Sequence, residues 1–402
     1  MTPDFASYRL HLGEFIRRAS RSPDRDPPRL EAEFNTLALT LFHLQFEQVP
    51  PYRRLCETRG VEPAHVHDWA DIPCVPTAAF KDLDLTSLPA IQRPHVFHSS
   101  GTTRQRPSRH FHNADSLALY EHSLLAPFRD HVLHRLDKPV QLICLTPSPA
   151  RAPHSSLVHM FDTVRREYGT GDSLFTGGLD ETGAWVVDGP ATRQALTQAA
   201  ANGRPVVMLG TAFAFVELLD EPSIGHPRSW ILDPLPRLSL PPNSRVMETG
   251  GYKGRTRELP KAALHQLLTD RLGVPPSHLV CEYSMSELSS QAYDHVAGQE
   301  PEPGGRVFRF PPWARSVLVS PETDKRVGDD ETGLIRVFDL ANVHSVMAIQ
   351  TEDLGMRRGD GFELVGRAAA AEARGCSLMN LGDASIRARL AELPRREDGD
   401  GF

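Results

Sequence analysis

The stretch His98-Ser99-Ser100-Gly101-Thr102-Thr103-Arg104-Gln105-Arg106-Pro107-Ser108-Arg109 follows a short apolar run, His95-Val96-Phe97, that reads as a strand. It sets four hydroxyls and a glycine in a row, with arginines just behind them. Glycine tolerates the positive φ angles that aim several backbone N–H groups at one point, and such a nest, with hydroxyl donors and guanidiniums nearby, suits a polyphosphate. The same composition also makes a solvated Ser/Thr turn between a strand and a helix, because Ser, Thr and Gly are ordinary turn residues. The decision rests on what the rest of the chain supplies.

The chain has 402 residues, enough for one large domain with a substantial core and a smaller appendage, or for two middling domains. Its 40% hydrophobic and 24% charged content is ordinary for a globular protein. A net charge of −7 argues against a nucleic-acid partner, since binding a phosphate backbone normally needs a basic face. The start, Met1-Thr2-Pro3-Asp4-Phe5, has neither a basic nor an apolar leader region, and no apolar run approaches the roughly 18 residues of a membrane span. A cytoplasmic location is therefore expected. Five cysteines, Cys56, Cys74, Cys144, Cys281 and Cys376, show no C-x-x-C spacing, which fits neither a disulfide framework nor a zinc site. Most read as buried small hydrophobes. His65 and His67 lack a second ligand pair and read as surface residues.

Working outward, Leu30, Phe34, Leu37, Leu41 and Leu44 recur at mostly three- and four-residue spacing, which predicts an amphipathic helix over residues 29–48. A polar region is expected after Pro50-Pro51. Prolines in Ile72-Pro73-Cys74-Val75-Pro76-Thr77-Ala78-Ala79-Phe80-Lys81 enforce an extended lead-in to a short helical turn. Asn113 or Asp115 can cap a helix reaching about residue 134, and residues 140–145 read as a buried strand. Helices near 155–168, 191–202 and 211–219, with a strand at 205–209, continue the pattern. Such alternation argues for parallel βαβ construction.

A second glycine cluster, Val246-Met247-Glu248-Thr249-Gly250-Gly251-Tyr252-Lys253-Gly254-Arg255, again ends an apolar run. Strand-to-loop transitions at the carboxyl edge of a parallel sheet are where nucleotides usually bind. After a helix over 259–272 and a strand at 278–281 comes Glu282-Tyr283-Ser284-Met285-Ser286-Glu287, with an aromatic ring, two hydroxyls and two carboxylates. Tyr283 can stack on a purine, Ser286 can meet a phosphate and Glu287 can ligate Mg²⁺; the same residues also make an ordinary helix cap with an acidic first turn.

Three such loops in this order resemble the adenylate-forming superfamily, in which a Ser/Thr/Gly loop holds ATP phosphates and a later tyrosine turn holds adenine and magnesium. An acid on the ribose hydroxyls and a Gly-Arg at the domain hinge complete that pattern. This chain matches at Ser99-Ser100-Gly101-Thr102-Thr103, at Tyr283 with Ser286 and Glu287, at Thr351-Glu352-Asp353, and at Gly366-Arg367. Within the superfamily it is most similar to LuxE-type acyl-protein synthetases, with phenylacetate–CoA ligases as cousins. That likeness lies in Val75-Pro76-Thr77-Ala78-Ala79-Phe80-Lys81, Glu248-Thr249-Gly250-Gly251-Tyr252-Lys253-Gly254-Arg255, Glu282-Tyr283-Ser284-Met285-Ser286-Glu287-Leu288 and Arg374-Gly375-Cys376-Ser377-Leu378.

The resemblance implies an α/β fold: an adenylate-forming large domain of mixed sheets with flanking helices over residues 1–365, and a short C-terminal segment over 366–402, a truncated C-terminal domain. It implies ATP and Mg²⁺ as cofactors, activation of a carboxylic acid, fatty acyl or aryl, to acyl-AMP, and transfer to a protein thiol. Cys376 is then the acyl acceptor, Glu287 the metal ligand, and Asp353 the ribose contact. Ser99, Ser100, Gly101, Thr102, Thr103, Arg109, Gly250, Gly251, Tyr283, Ser286 and Arg367 complete the nucleotide site. An acyl reductase, an acyltransferase or an acyl carrier protein is the implied partner.

Three departures stand out. Arg104 and Arg109 stand near the places where the phosphate loop usually continues with glycine and closes with lysine. Ser284 replaces the usual glycine beside the tyrosine. No lysine occurs among the 35 residues after Arg367, so the superfamily's C-terminal lysine is missing, and Lys81, Lys253 or an arginine is expected to supply charge at the transferring phosphate. Transfer to coenzyme A or a carrier thiol, and a nucleotide-binding partner subunit without catalysis, are the alternative readings.

Overall fold

Two pairs of prolines start helices at the front of the chain. The computed structural model describes residues 4–21, 27–99, 106–136, 138–219, 237–251, 258–300 and 305–368. It opens with α1 (Phe5–Arg21), α2 (Pro27–Gln48) and α3 (Pro50–Thr58). Helix α2 buries Phe34, Leu37, Leu41 and Leu44, as their spacing predicts. Helix α3 replaces the polar region expected after Pro50-Pro51. Proline is tolerated in a first helical turn, whose N–H groups have no intrahelical partner, so this pair opens a helix where it was expected to introduce a polar stretch.

Next come β1 (Val75–Pro76), α4 (Ala79–Asp82), β2 (His95–His98), β3 (Arg109–His112) and α5 (Ala114–His131). Strands β2 and β3 pair antiparallel, with His98 opposite Arg109, so the opening stretch ends in a second strand that precedes α5. Strand β3 escapes a hydropathy reading because its buried side chains are His110 and His112. Asn113 caps α5: its Oδ1 accepts from the Ser116 N–H at 2.8 Å, while Ser116 Oγ accepts from the Asn113 N–H at 3.1 Å. The helix ends at His131, three residues earlier than expected.

The βαβ region follows with β4 (Gln141–Cys144), α6 (Ser156–Tyr168), β5 (Leu174–Phe175), β6 (Gly177–Leu179) and β7 (Trp185–Val187). It continues through α7 (Gly189–Asn202), β8 (Val206–Thr211), α8 (Ala212–Leu219), β9 (Arg245–Thr249), α9 (Lys261–Leu272), β10 (Leu279–Tyr283) and β11 (Ala292–Tyr293). Six of these strands form one sheet in the order β11-β10-β9-β8-β4-β5, parallel except for β11. Successive side chains of a strand point to opposite faces. Ile143, Met208, Val246 and Leu279 accordingly pack with Leu196, Phe215, Leu264 and Leu268 of α7–α9. Leu142, Val207, Met247 and Val280 pack with Leu124, Phe128, Phe161 and Val164 of α5 and α6. A parallel sheet covered by helices on both faces buries β8, β9 and β10 throughout.

A second sheet contains β12 (Ala314–Val319), β13 (Thr332–Asp339), β14 (Ala348–Arg358) and β15 (Gly361–Arg367). Its order is β1-β14-β13-β12, and β15 also pairs with β14. It packs against α1–α3 through Phe15, Phe34, Phe42, Ile335, Val337 and Ile349. The architecture is the mixed α/β one that the resemblance implies. Among the described residues no helix is long and apolar enough to cross a membrane.

Candidate active site

The parallel sheet sets the ends of β9 and β10 side by side, with Thr249 in register with Glu282. Beyond β9 the chain turns through Gly250 at φ +65°, a left-handed conformation that disfavours any side chain. Beyond β10 it runs through Ser284 to Glu287. Ser286 Oγ donates to Glu287 Oε2 at 2.9 Å, and Ser108 Oγ lies 3.4 Å from Ser286 Oγ. Ser108 in turn donates its N–H to Ser99 Oγ at 2.9 Å, and His110 Nδ1 donates to the Ser286 carbonyl at 2.9 Å. The Ser108–His110 end of the first loop, to which Ser99 is itself bonded, therefore meets the acidic third loop through direct hydrogen bonds.

The second meeting point joins β10 to the other sheet. Tyr283 Oη donates to Asp353 Oδ2 at 2.9 Å, and Arg367 Nε lies 3.4 Å from Asp353 Oδ1. Asp353 and Arg367 face one another across the β14–β15 ladder. Burial raises the Asp353 carboxyl above its ordinary range, against the opposing charge of Arg367 and the hydrogen bond from Tyr283. Asp353 is thus a strand residue, held between an aromatic hydroxyl and a guanidinium. Tyr283 is only 6% exposed, its ring packed against Phe308, Phe310 and Phe362.

Other expected residues have different company. Arg109 Nη2 pairs with Asp84 Oδ1 at 2.9 Å, and Arg93 Nη1 takes Asp84 Oδ2 at 2.6 Å. Lys81 lies on α4, directly after the segment that β14 straps down. Val75 and Pro76 pair with Ile349 and Gln350, and Thr77 donates its N–H to the Gln350 carbonyl at 3.0 Å. This brings the Val75–Lys81 passage to the strand that carries Asp353. Gly251 follows Gly250 at the mouth of β9. Ser100, Gly101, Thr102, Thr103, Lys253 and Cys376 lie outside the described residues.

Several supporting residues went unread in the sequence. Asn342 Nδ2 donates to the Glu287 carbonyl at 2.8 Å and its Oδ1 accepts from Ser289 Oγ at 2.7 Å. Asp339 accepts from the Ser289 N–H at 2.8 Å, from Ser290 Oγ at 2.7 Å and from the Ala341 N–H at 3.0 Å. Burial lifts the Asp339 carboxyl to about 6 despite these donors. Glu282, buried beside Tyr283, accepts from the Thr249 hydroxyl and is lifted by burial to about 7, the Ser284 and Thr249 hydroxyls acting in the opposite sense. No local motif marks these groups, because their partners lie tens of residues away; the signal available was the polar run Ser289-Ser290-Gln291 directly after Glu287.

Cys56, Cys74, Cys144 and Cys281 are all buried, as expected. For Cys281 the expected apolar surroundings are incomplete: its sulfur meets Glu248 and His265. His65 is exposed near Glu62, consistent with a surface residue.

The chain is 24% identical over 339 residues to a long-chain-fatty-acid–luciferin-component ligase of Vibrio harveyi, covering 81% of this chain and 82% of that protein. Its fold is similar to that of a 2-hydroxyisobutyryl-CoA ligase, solved in an open conformation with 2-HIB-AMP and CoA. The two share a TM-score of 0.58 and 14% identity, over 87% of this chain and 75% of the other. The same ligase in its postadenylation state also gives a TM-score of 0.58, over 73% of that chain. Residues 28–383 match the family described as acyl-protein synthetase, LuxE, and the chain belongs to that family of adenylate-forming acid–thiol ligases.

Proposed function

We propose that the loops gathered around Ser99, Ser108, Ser286, Glu287 and Asp353 bind ATP, and that the acid activated there is a fatty or aryl carboxylic acid. The chemistry of the family is attack of a carboxylate on the α-phosphate, giving acyl-AMP and pyrophosphate, then transfer of the acyl group to a protein thiol. The long-chain fatty acid in the name of the Vibrio relative favours the fatty class. The observation that carries the reading is the convergence of three sequence-distant segments, the first loop, the third loop and strand β14, joined by the Ser108–Ser286–Glu287 contacts and the Tyr283–Asp353 bond.

In this reading Asp353 accepts the two ribose hydroxyls, as a carboxylate does from a vicinal diol. Tyr283 borders the adenine and Arg367 balances the Asp353 charge. Residues 99–103 with Ser286 hold the phosphates, and Gly250 and Gly251 let the backbone come close to the nucleotide. The oxygen-only donors at Glu287, Ser286 and Ser108 suit a hard cation, and Glu287 is the residue that would hold Mg²⁺. Bound there, that ion would neutralise phosphate charge. Arg109 contributes its charge in company with Asp84. Lys81 and Lys253 are the candidates for the cation at the transferring phosphate.

Cys376 is the proposed acyl acceptor. Its support is the passage Arg374-Gly375-Cys376-Ser377-Leu378, which lies within the stretch matching the family. We place the division between the large domain and the C-terminal segment close to residue 365, near the end of β15. A reductase, an acyltransferase or an acyl carrier protein is the class of partner that gives or takes such a thioester. Acid-dependent exchange of labelled pyrophosphate into ATP tests the first half-reaction, and a hydroxylamine-sensitive acyl label on the protein tests the second.

A further inference from the structure

On the face of the parallel sheet that packs against α9, one polar group interrupts an otherwise apolar surface. Cys281 of β10 and Glu248 of β9 are in register on neighbouring parallel strands, and both side chains meet His265 of α9. Cys281 Sγ lies 2.9 Å from Glu248 Oε1 and 3.4 Å from His265 Nε2, and the last edge, His265 Nε2 to Glu248 Oε1, is 3.8 Å. The surroundings are Val246, Leu264, Leu268 and Leu279.

A carboxylate in such a place is costly unless it is paired. Lys261 gives part of the answer. Burial pushes the Glu248 carboxyl up, but the nearby His265 imidazole, the Lys261 charge and the Cys281 contact together hold it below its ordinary value. Lys261 Nζ also lies 3.8 Å from Asp294 Oδ2, a buried oxygen with no hydrogen-bond partner, and 4.6 Å from the centre of the Phe308 ring. Asp294 Oδ1 is engaged by the Cys281 N–H at 2.7 Å and by Arg306 at 3.3 Å. The lysine therefore has a carboxylate of its own to move to if another cation takes its place beside Glu248.

We propose that Glu248, His265 and Cys281 form a binding site for a divalent transition-metal ion, with zinc as the best match. Thiolate, imidazole and carboxylate are the donors zinc takes, at bond lengths of about 2.0–2.3 Å. A tetrahedral ion with those bonds sets its ligand atoms about 3.3–3.5 Å apart, and the three observed separations straddle that range. Binding converts the Cys281 thiol to a thiolate and releases its proton to solvent. The His265 side chain, 11% exposed, marks the open side by which an ion and a fourth, water, ligand enter. The ion would tie β9 and β10 to α9 two residues before Gly250 and two before Tyr283, separate from the oxygen-only group at Glu287.

The experiment is cobalt titration of the full chain after chelator treatment. One equivalent of Co²⁺ should produce a near-ultraviolet thiolate-to-cobalt band with the visible bands of a tetrahedral ion, and Zn²⁺ should displace it. Cys281→Ser should remove the thiolate band, and His265→Gln should weaken binding roughly tenfold or more. Lys261→Met should keep the band, and Cys376→Ser, which removes the thiol proposed as the acyl acceptor, should also keep it. A thiolate band that survives Cys281→Ser, a band lost in Cys376→Ser, or no stoichiometric binding by the unaltered chain overturns the proposal.

Discussion

Tyr283 and Asp353, 70 positions apart in sequence, are joined by a hydrogen bond of 2.9 Å that links the end of the parallel sheet to the second sheet. The bond joins the end of β10 to the middle of β14, both assigned to the nucleotide, so each side chain fixes the other before ATP arrives. Asp353→Ala should raise the KM for ATP roughly 10- to 100-fold, the value of one or two charged hydrogen bonds. Tyr283→Phe should cost about 1 kcal/mol in the same assay, and the double variant should be less than additive, since both changes break one bond. Full additivity would mean that the pair does not act together.

Glu287 sits where the first and third loops touch. Glu287→Gln keeps the shape and removes the charge that a hard cation needs. It should lower acid-dependent pyrophosphate exchange on the order of 10²–10³-fold while circular dichroism stays unchanged. An active, folded variant would move the metal ligand elsewhere.

Asn342 and Asp339 hold this turn from behind. Asn342→Ala leaves the Glu287 carbonyl and the Ser289 hydroxyl without their partner, and a buried group stripped of its partner costs about 1–3 kcal/mol. Urea unfolding should record a loss of that size with an unchanged slope. A neutral result would show that water replaces the amide without cost.

His110 supplies a pH signature. Burial holds its imidazole down to about 4, against an ordinary value of 6.5, while its bond to the Ser286 carbonyl works in the opposite direction. The folded state keeps this ring neutral where the unfolded chain protonates it, so its contribution is complete above pH 6.5 and is lost as pH falls towards 4. Across that window the loss is on the order of 3 kcal/mol. His110→Asn should flatten the decline of stability over that interval, by urea midpoints at a series of pH values. An identical decline in the variant would show that His110 is not the group responsible.

The parallel half of the fold was readable because β4, β8, β9 and β10 are short, mostly apolar runs that alternate with helical segments. The second sheet was not, since β14 mixes Gln350, Thr351, Glu352 and Asp353 with apolar residues and reads as a polar turn. Strand β3 was hidden by its buried histidines, whose hydropathy says surface. In the candidate site, the Ser286–Glu287 contact was legible because one short motif carries both residues. The Asp339–Ser290 and Asn342–Glu287 contacts were not, as they depend on which strands pack side by side. The Cys281 group was missed for the same reason: in Leu279-Val280-Cys281 the cysteine looks like another apolar residue, and only the register with Glu248 shows otherwise.

Cys376 should carry the acyl group between the half-reactions. The thiolate is the nucleophile, and Arg374, two positions earlier in the sequence, is a cation of the kind that would favour it. With MgATP and a labelled fatty acid, the protein should take up a hydroxylamine-sensitive label that disappears in Cys376→Ser while pyrophosphate exchange continues. A label that persists in this variant would assign the acceptor to another residue.

The central claim is that acids are adenylated at the loops joined by Tyr283, Asp353, Ser286 and Glu287. Exchange of labelled pyrophosphate into ATP, followed as a carboxylic acid is titrated, tests it most directly. The account predicts saturable, acid-dependent exchange in the unaltered protein and a steep loss in both Asp353→Ala and Glu287→Gln. Exchange that ignores the acid, or that is equal in the unaltered protein and in both variants, would contradict it.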